Sequence, residues 1–221
     1  MDTIIDFGSE IETVFNLNEL QRIIRMDTRY DESTISSAYP YGKAIQEGLD
    51  YFEEQALLIG LAVQQYGGHA LSIQYGEQSA RVETVSHLDV VSVDNQWTHP
   101  PFAAHIDQDL MYGRGTQDMK TALWLQWIAL KAIHQKGLKL KRAVRMVIGT
   151  DEERTMEDMH YYVRHAGLPD FAYTPDGSFP LCLGEKGVAC IELTRVIEGS
   201  KISILKTYQS SNVVCDRLSV G

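Results

Sequence analysis

Cysteine is scarce in this sequence, and its spacing excludes two kinds of site. The 221 residues contain three cysteines, Cys182, Cys190 and Cys215, with no Cys-x-x-Cys pair. A disulfide framework needs paired cysteines, and a thiolate zinc site needs closely spaced ones. We therefore interpret all three as core or strand residues.

Long apolar runs and clusters of positive charge are also missing. No run approaches the roughly 18 apolar residues of a membrane span, and the opening MDTIIDFGSEIETVF lacks the basic and apolar regions of a signal peptide. The net charge of -10 argues against a polyanion partner, because neutralising phosphates needs clustered Lys and Arg, which the sequence lacks. We expect a cytoplasmic protein with neither a membrane nor a nucleic-acid partner.

Three catalytic motifs are absent as well. There is no G-x-S-x-G elbow and no G-x-x-x-x-G-K-[ST] loop, which disfavours serine hydrolases and P-loop enzymes. The segment GRGTQD lacks the third glycine of a dinucleotide-binding fingerprint, so its glycines are interpreted as turn formers.

What is present is the composition of a globular domain, with 44% hydrophobic and 23% charged residues. Apolar periodicity predicts four helices, at about Glu10 to Arg25, Pro40 to Gln65, Met119 to His134 and Met156 to His165. Pro40-Tyr41-Gly42 opens the second of these helices, and Gly67-Gly68 is predicted to end it. Strands are predicted at 70–76, 81–86, 143–149, 171–174, 188–196 and 201–208. This alternation predicts an α/β fold with a mixed, largely parallel sheet flanked by helices.

Four acidic or histidine-bearing elements follow predicted strands or precede a predicted helix. They are His87-Leu88-Asp89, Asp118, Glu152-Glu153 and Asp176. Ligands of open α/β sheets gather at the carboxyl ends of strands, so we expect these elements to converge. Imidazole and carboxylate together suit zinc, cobalt or manganese, and a bridging carboxylate suits two ions about 3.5 to 4 Å apart.

Each element alone also has a structural interpretation. His87 and Asp89 are compatible with a hydrogen-bonded pair, and Asp118 with a helix N-cap. Glu152-Glu153 is compatible with a solvated helix start, and Asp176 with a turn between Pro and Gly.

Four longer segments resemble one family. SHLDVVSVDNQWTHPPF, LMYGRGTQDMK, VIGTDEE and TPDGSFPLCLGEKGV resemble, in this order, the aminoacylase, carboxypeptidase G and dipeptidase family of metallopeptidases. TPDGSFP, GEKG and the upstream YPYG look most like the PepV-type and carnosinase-like dipeptidases. The resemblance implies a zinc-dependent dipeptidase that acts on small peptides, with a zinc-exopeptidase-like catalytic domain over residues 1–186.

The resemblance also implies a role for each site residue. His87 and Asp176 would bind one zinc ion, Glu153 the other, and Asp118 would bridge them. Asp89 would orient the His87 imidazole, and Glu152 would be the general base.

The family continues with a dimerising lid domain and a return segment that supplies a last histidine ligand. We interpret 187–221 as the start of that lid and expect a truncated chain, in which a homodimer like that of full-length relatives is doubtful. Two alternatives stay open: an inactive fragment of such an enzyme, and an N-acyl amino acid deacylase of the same family.

Overall fold

The protein is represented by a computed structural model that describes residues 6–177, Cys182 and Gly184, and the backbone of 207–209 and 218–220. The chain divides into two compact units, Met1–Asp176 and Gly177–Gly221. The first unit contains helices α1 (Gly8–Val14), α2 (Leu17–Arg25), α3 (Lys43–Leu58), α4 (Lys120–Gln135) and α5 (Glu157–Ala166). Its strands are β1 (Ala62–Gln65), β2 (Ala70–Tyr75), β3 (Arg81–His87), β4 (His105–Asp107), β5 (Leu110–Tyr112), β6 (Ala143–Gly149) and β7 (Phe171–Tyr173).

Five of these strands form a mixed sheet in the order β1-β2-β6-β3-β7. β3 runs parallel to both β6 and β7, whereas β2 runs antiparallel to β6 and β1. The predicted α/β class with a mixed, helix-flanked sheet is confirmed, and 143–149 is its central strand. β4 and β5 form a separate antiparallel hairpin.

The sheet has a large core on one face and a small one on the other, because successive strand residues point to opposite faces. Met146 and Ile148 of β6 join the large core, which α2, α3 and α4 cover. Val147 joins the small core, where Tyr162 of α5 packs. Helix α4 is anchored by Glu19, whose carboxylate accepts hydrogen bonds from two indole N–H groups and from the Lys131 ammonium.

The predicted first helix is wrong in its continuity. α1 and α2 are separate, since Phe15 has an extended backbone. Asn16 then caps α2, and its side chain accepts the backbone N–H of Asn18. Asparagine favours this cap because its side-chain oxygen satisfies a free helix N–H.

The predicted second helix is wrong in its length. α3 ends at Leu58, and Gly60 then takes a φ of 81° that suits glycine. Residues 62–65 form β1, and Gly67 and Gly68 form the turn from β1 to β2 with φ values of 58° and 77°. The glycine pair therefore closes a hairpin and does not end a helix.

The second unit is described only in part. β8 (Thr207–Gln209) pairs antiparallel with β9 (Leu218–Val220). The strand predicted at 188–196 and most of the one at 201–208 lie outside the described residues. The assignment of 187–221 to a lid stays a prediction.

Candidate metal centre

The ends of three parallel strands bring the predicted site residues to one edge of the sheet. His87, the last residue of β3, pairs with Gly149, the last residue of β6. Thr84 of β3 pairs with Tyr173, the last residue of β7. The segments that leave these strands carry Asp89, Glu152, Glu153 and Asp176.

Asp118 reaches the same edge from the loop before α4. The N-cap position of α4 is Met119, with no side-chain cap, so Asp118 does not have the capping role considered above. The preceding turn depends on Gly115, which has a φ of 87° and accepts the backbone N–H of Lys120. The glycines of GRGTQD therefore include a turn former, as predicted.

His87 is the centre of the cluster. Its side chain is 3% exposed, and Nδ1 lies 2.9 Å from the main-chain oxygen of Asp89 and 3.3 Å from Oδ1 of the same residue. Two acceptors at Nδ1 assign the ring proton to that nitrogen, which leaves the lone pair on Nε2.

The Nε2 atom of His87 faces three carboxylates. It lies 3.2 Å from Asp118, 3.4 Å from Asp176 and 3.7 Å from Glu152. It is nevertheless buried without a hydrogen bond to any of the described residues. In the neutral imidazole Nε2 carries a lone pair, and the carboxylates around it favour a positive charge there, either a ring proton or a metal ion.

Two sets of ligand atoms are close enough to hold an ion. His87, Glu152 and Asp176 form one set, and His87, Asp118 and Glu153 form the other, each within 4.8 Å. One imidazole with carboxylates fits zinc, cobalt or manganese. The residues present therefore fit the divalent metal that the sequence predicts. The four predicted ligands and the predicted base, Glu152, each belong to one or both of these sets.

The pKa shifts at the site have two causes, burial and the neighbouring carboxylates. Burial opposes protonation of His87, but the carboxylates of Asp118, Asp176 and Asp89 raise its pKa. Burial, and next the Asp118 carboxylate, raise the pKa of Glu153 to about 7. Burial also raises the pKa of Glu152. A bound cation would favour the ionised form of both glutamates and so oppose these shifts.

Asp89 also has a contact that the sequence analysis missed. Its two carboxylate oxygens accept the backbone N–H groups of Glu152 and Glu153, at 3.3 and 3.0 Å. The same residue thus contacts the imidazole and holds the turn that carries both glutamates. No spacing rule indicates this contact, because it joins residues far apart in the sequence.

Lys120 is a second residue that the sequence analysis left aside. Its side chain is fully buried, and Nζ donates to the main-chain oxygen of Met26 at 2.6 Å. Burial lowers the pKa of Lys120 to about 7, partly offset by Asp27 and Asp89. A lysine two residues after Asp118 is the only sequence signal, and its hydrogen bond joins the start of α4 to the C-cap of α2.

Comparisons with known proteins identify the family of the chain. Residues 84–210 match peptidase family M20/M25/M40. The putative dipeptidase YtjP of Bacillus subtilis is 30% identical over 88% of this chain, and the Beta-Ala-Xaa dipeptidase of Lactobacillus delbrueckii is 28% identical over 80%. The chain spans 42% and 38% of the length of these two relatives.

Two solved structures share the fold. Human carnosine dipeptidase 1 matches 77% of this chain with a TM-score of 0.59 and 17% identity. The match covers 40% of the length of that structure. The M20 family metallo-carboxypeptidase Sso-CP2 of Sulfolobus solfataricus matches 73% of this chain with a TM-score of 0.57 and 23% identity. None of the helices in the described part of the chain has the length and apolar character of a membrane span.

Proposed function

Since the chain belongs to peptidase family M20/M25/M40, we propose that it is a divalent-metal-dependent dipeptidase, acting on dipeptides or short peptides. The observation that carries this proposal is the buried, unbonded Nε2 of His87 among the carboxylates of Asp118, Asp176 and Glu152. The printed names of the two curated relatives support a dipeptide substrate.

In this proposal His87 and Asp176 would hold one zinc ion, Glu153 would hold a second, and Asp118 would contribute to both sites. Cobalt or manganese has the same ligand preference for imidazole and carboxylate. When bound, such a metal would polarise the peptide carbonyl and lower the pKa of its bound water to about 7.

Glu152 is the proposed general base. Its side chain is 39% exposed, and its carboxylate lies 3.7 Å from Nε2 of His87. A raised pKa suits a group that takes a proton from the attacking water and gives it to the leaving amine. Asp89 supports the role by fixing the backbone amides of both glutamates.

Glu152 and Glu153 require separate tests, because Glu152, the proposed base, also belongs to one of the two possible ligand sets. Glu152→Gln should bind zinc like the unmodified chain and lose about 10² to 10⁴-fold in turnover of a dipeptide. Glu153→Gln should bind zinc more weakly. Glu157→Gln, an exposed change of the same type nearby, is the control and should alter neither.

Dipeptide hydrolysis in added zinc, cobalt or manganese, with zinc binding measured in parallel, decides the proposal. Turnover that Glu152→Gln retains would contradict the base, and weak zinc binding by Glu152→Gln would make Glu152 a ligand. Zinc binding without turnover in the unmodified chain would identify an inactive member of the family. Turnover of N-acyl amino acids in place of dipeptides would identify a deacylase.

A further inference from the structure

The turn that carries Glu152 and Glu153 is held at its base by a residue outside the metal cluster. This turn, residues 150–156, joins the end of β6 to the start of α5. Asp89 holds the tip of the turn through the amides of Glu152 and Glu153. The base is held by Asp158, in the first turn of α5.

Asp158 is fully buried, and its carboxylate accepts hydrogen bonds from three main-chain amides. Oδ2 accepts the N–H of Thr150 at 2.6 Å and the N–H of Asp151 at 3.0 Å. Oδ1 accepts the N–H of Met159 at 2.7 Å. Hydrogen bonds to an ionised acceptor are about twice as strong as neutral ones, so this carboxylate fixes β6's exit relative to α5.

Gly149, at the end of β6, leaves space for the Asp158 carboxylate. A Cβ atom at Gly149 would lie 2.5 Å from Oδ2 of Asp158, closer than carbon and oxygen can approach. Glycine at the end of β6 therefore admits the acidic side chain. The negative charge also lies in the first turn of α5, where the helix dipole favours it.

The remaining hydrogen bonds of the turn join Asp151, which precedes the two glutamates, to the residues that follow them. The main-chain oxygen of Asp151 accepts the N–H groups of Arg154, Thr155 and Met156. The Asp151 carboxylate accepts the Thr155 hydroxyl. A shift of Asp151 would therefore move the whole turn.

We propose that Asp158 is a positioning residue of the metal centre: by holding the amides of Thr150 and Asp151, it sets where Glu152 and Glu153 stand. This inference rests on the proposed function for its effect on metal, although Asp158 is not itself a ligand. The loss of such supporting bonds around a metal site typically costs about 10 to 100-fold in affinity.

The test compares Asp158→Asn with two controls. Asp158→Asn keeps the shape of the side chain and replaces one acceptor oxygen by an amide that repels N–H donors. Glu157→Gln makes the same charge change in the same helical turn, on an exposed side chain. Ile128→Val trims the core on the other face of the sheet.

Two readouts are measured on folded protein: zinc affinity by calorimetry, and hydrogen exchange at the amides of residues 150–153. Asp158→Asn should bind zinc about 10 to 100-fold more weakly and exchange faster at these amides. Both controls should retain the affinity and the exchange rates of the unmodified chain at the turn.

Unchanged zinc affinity together with unchanged exchange in Asp158→Asn would overturn the inference. If the unmodified chain bound no zinc, the proposed function would fail, and exchange at Glu152 and Glu153 alone would decide the positioning role. Should Asp158→Asn not fold, Asp158→Glu keeps the charge but displaces both oxygens by one methylene, and it should give the same two effects.

Discussion

Strand β3 carries two buried polar groups, one centred on Glu83 and the other on His87, and they differ in how many hydrogen bonds they form with the described residues. Around Glu83, one carboxylate oxygen accepts hydrogen bonds from Arg81 at 2.6 Å, Tyr162 at 2.7 Å and Arg145 at 3.3 Å. Around His87, one imidazole nitrogen faces three carboxylates and bonds to none of the described residues.

The two groups differ in whether protein donors satisfy the carboxylates, so we expect a structural role for the Glu83 group and a metal-binding role for the His87 group. Glu83 has donors from β3, β6 and α5, so it ties the small core together. The cluster at His87 has donor atoms that could hold a metal ion, and we propose that a divalent cation binds there. Substitutions in the first group should therefore change stability, and those in the second should change metal binding.

The largest effect on stability is expected at Glu83. Glu83→Ala leaves Arg81 and Arg145 partly buried without their carboxylate, which typically costs about 3 to 5 kcal/mol. The free energy of unfolding in urea measures this loss. Glu77→Ala, on an exposed side chain, is the control, and an equal loss in the two variants would contradict a structural role for the Glu83 group.

Metal should have the next largest effect, through the His87 group. Zinc at 100 times its Kd should raise the free energy of unfolding by about 2.7 kcal/mol, since it binds only the folded chain. A chelator should reverse the gain. An unchanged Tm with and without zinc would argue against a metal centre built by these residues.

Removal of one hydroxyl from the Glu83 group should have a smaller effect. Tyr162→Phe deletes the 2.7 Å hydrogen bond to Glu83 and should cost about 1 kcal/mol in unfolding free energy. Tyr161→Phe, at the neighbouring position on the same helix, is the matched control, because the Tyr161 hydroxyl forms no hydrogen bond with the described residues. The comparison fails if both variants lose the same amount.

The smallest effect on stability is expected at Asp118. Its side chain is 61% exposed, and Asp118→Asn should change the unfolding free energy of the metal-free chain by no more than about 0.5 kcal/mol. Zinc affinity should nevertheless fall, since a ligand charge is lost. A large loss of metal-free stability would show that Asp118 has a structural role in the fold.

Periodicity predicted the buried elements of the fold better than its ends. β6 and α4 have long apolar patterns that only a central strand and a packed helix satisfy, and both lie where the sequence indicates. The errors occurred where one glycine or asparagine outweighs the apolar pattern. Asn16 caps α2, and Gly60 separates α3 from a strand of similar composition.

The candidate site followed from the strand-end rule and the resemblance together. Both predict that His87, Asp118, Glu153 and Asp176 meet, and the described residues bring them together. The supporting contacts of Asp89 and Asp158 with the glutamate turn were not predictable, because a carboxylate bound to distant backbone amides leaves no periodic signal. Their roles, like the ligand roles, stay predictions until measured.

The most direct test of the metal centre is a calorimetric titration of zinc into the unmodified chain, His87→Ala and His160→Ala. His160 lies exposed on α5 and controls for adventitious binding to a surface imidazole. We expect His87→Ala to weaken zinc binding by about tenfold or more, with His160→Ala unchanged. Equal affinity in His87→Ala and the unmodified chain would contradict a metal centre at the end of β3.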